Sequence, residues 1–196
     1  FAGTYGNPTT VKNLSSTSFP GTINGATFNP AGYFSFDGVD DKITFPSGYS
    51  VSTSAGISVE VWVNADDATK YMDVFDMSDT YGVWIVFQSG LLKGSFATTA
   101  NQMTYSYSIN TWYHLVISGS GNSNSMYVNG TLVDTETATV YSGNVDFNTA
   151  RIGNVDGDRA SEYLDGKVGE LRFYNRELTA TEVLQNFNAT RSKYGV

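Results

Sequence analysis

The stretch Tyr33-Phe34-Ser35-Phe36-Asp37-Gly38-Val39-Asp40-Asp41-Lys42-Ile43 decides the architecture of this chain. Aromatic and β-branched residues alternate on either side of a polar centre, so it reads as a strand, a tight turn and the start of a second strand. Asp37-Gly38 sits where the chain must reverse, because glycine accepts the positive φ that tight turns require. Three carboxylates, Asp37, Asp40 and Asp41, crowd this one turn. Such crowding is unfavourable unless water or a cation screens it.

Working outward, the strand pattern repeats. Ile57 to Asn64 alternates strictly, with Ile and Val at odd positions and Ser58, Glu60, Trp62 and Asn64 at even ones. Val83 to Phe87 and Trp112 to Ser118 read as buried strands, and Ser125 to Val133 as a hairpin turned by Asn129-Gly130. Arg151-Ile152-Gly153 opens a short strand, and Lys167 to Tyr174 is the last clear one. Residues 1–32 are loop-rich, punctuated by Gly6-Asn7-Pro8 and Ser15-Ser16-Thr17-Ser18. Near the end, Thr179 and Glu182 form a capping box, and Ala180, Val183, Leu184 and Phe187 fall on one helical stripe. A helix over residues 179–191 is predicted, with the duty of covering a sheet edge. No linker or repeat interrupts the pattern, so residues 1–196 read as one all-β domain, a two-sheet antiparallel sandwich with a short C-terminal helix.

Composition narrows the partners. The 196 residues carry 11 basic and 19 acidic side chains, a formal net charge of −8. No basic tract exists, which argues against nucleic acid and against an anionic membrane surface. A neutral ligand, a cation or a basic partner suits this charge better. With no cysteine, a disulfide framework and thiolate metal sites are excluded. No apolar run reaches the length of about 18 residues needed for membrane insertion. The chain begins at Phe1 rather than Met, as a fragment or processed product would. Glycosylation sequons stand at Asn13, Asn129 and Asn188.

Residues 34–46 closely resemble the opening strands of the laminin-G-like, concanavalin-A-like lectin and glucanase jelly-roll family. Four further segments resemble that family in order: Ile57 to Asn64 with Trp62 as its aromatic, Thr111 to Val116, the Met126 to Val133 hairpin, and Leu164 to Leu178. The resemblance implies a jelly roll that binds ligands on a concave sheet or on rim loops and serves as a glycan-binding or adhesion module. The Asn7-Pro8 opening and the Gln185 to Gly195 ending resemble versions found in tailed-phage virion proteins. They imply virion structural proteins, or other chains of a parent assembly, as partners, and an extracellular or virion-surface location. The family also implies a structural Ca2+ held between the acidic turn and the closing strand. Asp37 and the Gly38 carbonyl would supply one side, and Gly169, which stands where a carboxylate is usual, only its carbonyl. Equally open is that Asp37, Asp40 and Asp41 end strands and solvate the turn.

Catalysis has weaker support than binding. Glycoside hydrolysis needs two carboxyls about 5–10 Å apart across the scissile bond. Relatives that cleave glucans carry an alternating run of Glu and Asp on one strand, absent here. Glu60 is alone on its strand, and Asp73 and Asp76, three apart, suit no single strand face. His114 is the one histidine and no nucleophile elbow accompanies it, so it reads as a strand residue with one satisfied hydrogen bond. The chain is therefore not expected to be an enzyme.

Glycan recognition needs aromatic faces and planar polar groups. If the odd positions of the Ile57 strand face the core, Glu60, Trp62 and Asn64 face away. By the same parity Trp84 and Gln88, Trp112 and His114, and Tyr127 and Asn129 also face outward. The alternative is that both faces are buried and the tryptophans belong to packing. Other contacts would come from Tyr71, Tyr81, Tyr141 and Tyr163, and from Tyr105-Ser106-Tyr107, which places two aromatics on one side of a rim segment. The acidic loop Asn154 to Arg159 lacks the distal Glu of a calcium loop, and Arg159 is expected to neutralise Asp156 or Asp158. The reading is a non-catalytic module for a carbohydrate or glycoconjugate on a larger surface or virion assembly. A structural decoration domain without sugar binding is the alternative, and a polysaccharide-degrading enzyme a distant one. An exposed Trp or Tyr pair in a groove favours the first; buried aromatics with an apolar patch or a free strand edge favour the second.

Overall fold

The computed structural model describes residues 9–11, 20–77, 82–96, 102–140, 143–155 and 157–196. Two antiparallel sheets face each other. Sheet I runs β1 (Thr10–Val11), β2 (Gly21–Asn24), β5 (Lys42–Thr44), β16 (Arg151–Ile152), β8 (Tyr71–Met77), β9 (Val83–Gln88), β10 (Leu91–Ser95), β11 (Met103–Ser106). Sheet II runs β14 (Thr131–Glu136), β13 (Ser123–Val128), β12 (Tyr113–Ser120), β7 (Ile57–Ala65), β17 (Asp165–Tyr174), β4 (Tyr33–Asp37), β3 (Thr27–Asn29). A small ladder joins β6 (Ser50–Ser52) to β15 (Asn144–Asp146).

The deciding stretch forms both expected strands, but they do not pair with each other. β4 lies in sheet II and β5 in sheet I, so the acidic turn carries the chain across the sandwich. Local bonds stand in for the missing ladder: Asp37 Oδ1 accepts from Val39 N at 2.9 Å and Asp41 Oδ2 from Asp37 N at 3.0 Å. Gly38, at φ 74°, supplies the reversal. The Asn129-Gly130 hairpin forms as expected, with φ of 50° and 78°.

The core lies between the sheets. Ile57, Val59, Val61 and Val63 of β7 enter it from sheet II, facing Phe75 of β8 and Ile85 and Phe87 of β9 from sheet I. Each such side chain contributes roughly 1.5–3 kcal/mol of burial free energy. Two bulges break the alternation. One shifts the β8–β9 register between Asp73 and Phe75, the other the β17–β7 register between Val168 and Leu171.

Helix α1 (Ala180–Thr190) starts at the expected box: Thr179 accepts from Glu182 N while the Glu182 carboxylate accepts from Thr179 N. The Arg176 guanidinium and the Thr179 bonds hold the Glu182 carboxyl down to about 2. The helix lies on the outer face of sheet II rather than at a sheet edge. Phe187 and Tyr194 supply the reason, since both rings stack on Trp62 of the central strand β7. Among the described residues no helix is long and apolar enough to cross a membrane.

Candidate functional site

Parity holds on sheet II, but its outer face is filled by the chain itself. Glu60 is 2 %, Trp62 1 % and His114 0 % exposed, and none of them belongs to the core between the sheets. Trp62 lies 4.3 Å from the Tyr194 ring and 6.0 Å from Phe187, and its Nε1 donates to Thr190 Oγ1 at 3.0 Å. Glu60 receives four donors: Arg172 Nη1 at 2.6 Å, His114 Nε2 at 3.0 Å, Tyr174 Oη at 2.8 Å and Asn186 Nδ2 at 2.8 Å. Burial alone would raise its pKa. The His114 bond and the Arg172 charge outweigh that, and hold the carboxyl below its ordinary value. Burial and the Glu60 charge push the Tyr174 phenol up to about 12.

The expected outward row of Glu60, Trp62, Asn64, His114 and Tyr127 is thus outward-facing yet covered. Asn64 is buried, and Tyr127 packs with Val116, Leu178 and Val183 under the helix. A ligand reaches this row only by displacing α1 and the turn that follows it. Trp112 is half-buried against Tyr33 and Tyr194, and Asn129 Oδ1 is taken by His114 N.

The proposed cation residues come together only in part. Asp37, Asp40 and Asp41 each bring an oxygen within 4.8 Å of the others, a spacing a hard cation accepts. Burial raises the Asp41 pKa, and the charges of Asp37 and Asp40 add to it. Gly169 does not join them. The register sets Asp165 opposite Asp37, and Lys70 Nζ holds Asp165 at 2.9 Å. Gly169 falls in the β17 bulge instead, where a Cβ would meet Tyr194 Cε1 at 2.7 Å.

Sheet I presents the other outer face. Its register aligns Thr44, Arg151, Asp76, Trp84 and Ser95 in one row, and Asp73, Val86, Lys93 and Thr104 in the next. Tyr71, Gln88, Leu91 and Ser106 make a third. Lys93 Nζ donates to Gln88 Oε1 at 2.8 Å beside the half-buried Tyr71. Trp84 is buried within its row. Tyr105 and Tyr107 do share one side of their segment, but it is the core side: Tyr105 packs on Tyr113, and Tyr107 on Phe87 with its hydroxyl donating to Asp67 O.

Asp73 and Asp76 do converge on this face. The β8 bulge turns Val74 and Phe75 both into the core, so the acids that bracket them point the same way, 2 % and 3 % exposed. Burial pushes the Asp73 carboxyl well above the usual carboxylate range. The charges of Asp76 and Glu162 and a side-chain hydrogen bond to Glu162 add to the rise. Burial and the same carboxyls raise the Tyr71 phenol. Arg159 does not serve Asp158: it pairs with Glu162 at 3.3 Å, while Asp158 pairs with Lys42. Tyr163 is buried, and Asn13, Tyr81, Tyr141 and Asp156 lie outside the described residues.

The sequence profile of the concanavalin A-like lectin/glucanases superfamily matches residues 37–184. No curated protein sequence matches the chain. Among solved structures, Trypanosoma rangeli sialidase in complex with sialic acid is similar over 96 % of this chain and 32 % of its own, at 16 % identity and a TM-score of 0.74. The botulinum neurotoxin serotype D binding domain is similar over 93 % of this chain and 51 % of its own, at 12 % identity and a TM-score of 0.68. The receptor binding domain of botulinum neurotoxin type G covers 89 % and 48 %, at 16 % identity and 0.64. The chain therefore spans about half or less of the structures it resembles, and at these identities they establish the fold.

Proposed function

The chain belongs to the concanavalin A-like lectin/glucanases superfamily, and on that premise we propose that it is a non-catalytic carbohydrate-binding module that engages its ligand on the outer face of sheet I. One observation carries this reading. The Tyr71–Gln88 pair, with Lys93 bonded to Gln88, gives an aromatic ring beside an amide and an ammonium on sheet I, away from α1, which packs on sheet II. A tyrosine ring meets the C–H surface of a sugar, and the amide and ammonium meet its hydroxyls. The burial of Asp73 and Asp76, which keeps substrate atoms from the converging carboxyls, supports the non-catalytic part of this reading. The fold is consistent with a place on a larger extracellular or virion-surface assembly.

A second reading, an interaction domain without sugar binding, has its own support. The aromatics Trp62 and Trp84 are buried, while Leu132 on edge strand β14 and Leu184 on α1 stay 49 % and 47 % exposed on either side of the Gly130 turn. A glycan array separates the two. Binding that is lost in Tyr71→Ala and Gln88→Ala, with unchanged melting, supports the first reading. Absence of binding to every glycan, with self-association in solution, sinks it and supports the second.

A further inference from the structure

Among the described residues Lys42 pairs with Asp158, Lys70 with Asp165, Lys167 with Asp66 and Lys193 with Glu170. Lys93 is the exception in this acidic chain. Its ammonium meets no carboxylate among the described residues and is bonded instead to Gln88 Oε1 at 2.8 Å. That bond fixes the amide. An ammonium has donors and no acceptor, so the Gln88 oxygen must face Lys93 and the NH2 must point away from it. Neither this NH2 nor the hydroxyl of Tyr71, which stands opposite Gln88, has a hydrogen-bond partner among the described residues. Neither is sealed from solvent, and Tyr71, Gln88 and Lys93 are all half-buried.

We propose that Gln88 and Lys93 make this face a subsite for an acidic sugar, whose carboxylate or sulfate accepts from the Gln88 NH2 and the Lys93 ammonium while its ring lies against Tyr71. The proposal rests on the carbohydrate-module reading and adds to it the class of ligand. The pair offers donors alone. An anionic oxygen group suits it best, because charge-assisted hydrogen bonds are shorter and roughly twice as strong as neutral ones. A neutral hydroxyl can accept there too, but its own proton finds no acceptor on the pair. The register supplies the reach: Tyr71 lies directly across from Gln88, and Lys93 is diagonal to it, two residues beyond its β10 partner Leu91. Nearby acids are turned elsewhere or held off. Asp73 shares the Lys93 row, but Val86 stands between them, which sets the acid two strand spacings away, about 9–10 Å. Glu162, whose charge reaches Tyr71, is paired with Arg159. On the β11 side Asp134 accepts from Thr104 N. The net charge of −8 favours other partners at long range, but physiological salt screens that field beyond about 8 Å.

The test is an array of uronic-acid and sulfated glycans, each printed beside its carboxyl-reduced or desulfated counterpart, probed with the full chain at physiological salt. Acidic members should bind about tenfold more tightly than their neutral counterparts, the worth of a charge-assisted bond over a neutral one. Which acidic series binds identifies the group as carboxylate or sulfate. Lys93→Met should bring the acidic member down to the level of the neutral one. Gln88→Glu gives Lys93 a carboxylate of its own and should abolish the preference as well, so either variant carries the test if melting shows that the other is misfolded. Equal binding of acidic and neutral members, lost in Tyr71→Ala, overturns the acidic subsite and leaves the module reading standing. An acidic preference that survives both variants also overturns it. Absence of binding to every glycan overturns the subsite together with the reading it rests on.

Discussion

Glu60→Gln is the substitution whose cost can be reasoned most fully. The Glu60 carboxylate accepts from Arg172, His114, Tyr174 and Asn186, two donors on each oxygen. Glutamine has one acceptor oxygen, and its NH2 must confront two of those donors. Breaking a buried ion pair by altering one partner costs about 3–5 kcal/mol. Arg172 keeps its second partner Glu170 and is 38 % exposed, so the lower end, about 3 kcal/mol, applies here. For a chain of this size that lowers Tm by roughly 6–12 °C. Urea unfolding at neutral pH, followed by far-UV circular dichroism, measures the loss. The pH dependence adds a second check. Because the folded pKa of Glu60 is depressed, its contribution is complete above the ordinary value of 4.5 and fades as pH falls through the folded value. The wild-type advantage over Glu60→Gln should therefore shrink in acid. A loss under about 1 kcal/mol at neutral pH, or a gap that stays constant into acid, refutes the argument.

Two further outcomes are expected. Gly169→Ala drives a methyl into the Tyr194 ring that stacks on Trp62, so it should cost about 1–3 kcal/mol and shift tryptophan emission to the red; wild-type emission and stability would show the tail is not held by that stack. We propose the acidic turn as a Ca2+ site, so calcium added to chelator-stripped protein should raise Tm, and Asp37→Asn with Asp40→Asn should remove the rise. An unchanged Tm leaves Asp37, Asp40 and Asp41 as a solvated turn.

What the sequence made legible was local. Alternation through Ile57 to Asn64 assigned each side chain to a face correctly, because strand parity is a property of neighbouring residues. It could not tell that Glu60 and Trp62 lie under Phe187 and Tyr194, since that contact spans more than 120 positions and depends on where a helix docks. The amphipathic stripe announced a covered surface without naming it. For Asp73 and Asp76, three positions apart means opposite faces on a regular strand, so their spacing hides their convergence. The apolar doublet Val74-Phe75 between them was the available signal: two adjacent core residues in a strand imply a bulge, and a bulge restores the acids to one face. The place of Gly169 is hidden for a related reason, because the partner of Asp37 is set by the β4–β17 register, which runs to Asp165.

The two outer faces solve the same problem in opposite ways. Each buries a carboxyl group against a sheet. On sheet II, Glu60 is met by donors from β12, β17 and α1, so it is held ionised and ties the helix to the sandwich. On sheet I, Asp73 is buried and met by other acids, and both raise its pKa. The pH signs follow. Acid removes the stabilisation by Glu60, whereas Asp73 contributes most below its ordinary 3.8 and loses that contribution as pH rises toward its elevated folded value. Rising pH therefore weakens the contribution of the packing around Asp73 while leaving the Glu60 contacts of α1 intact. A ligand held beside Tyr71 and Gln88 would feel that change, and one bound at the Leu132–Leu184 surface would not. The pH dependence of binding thus locates the binding face independently of any substitution made on it.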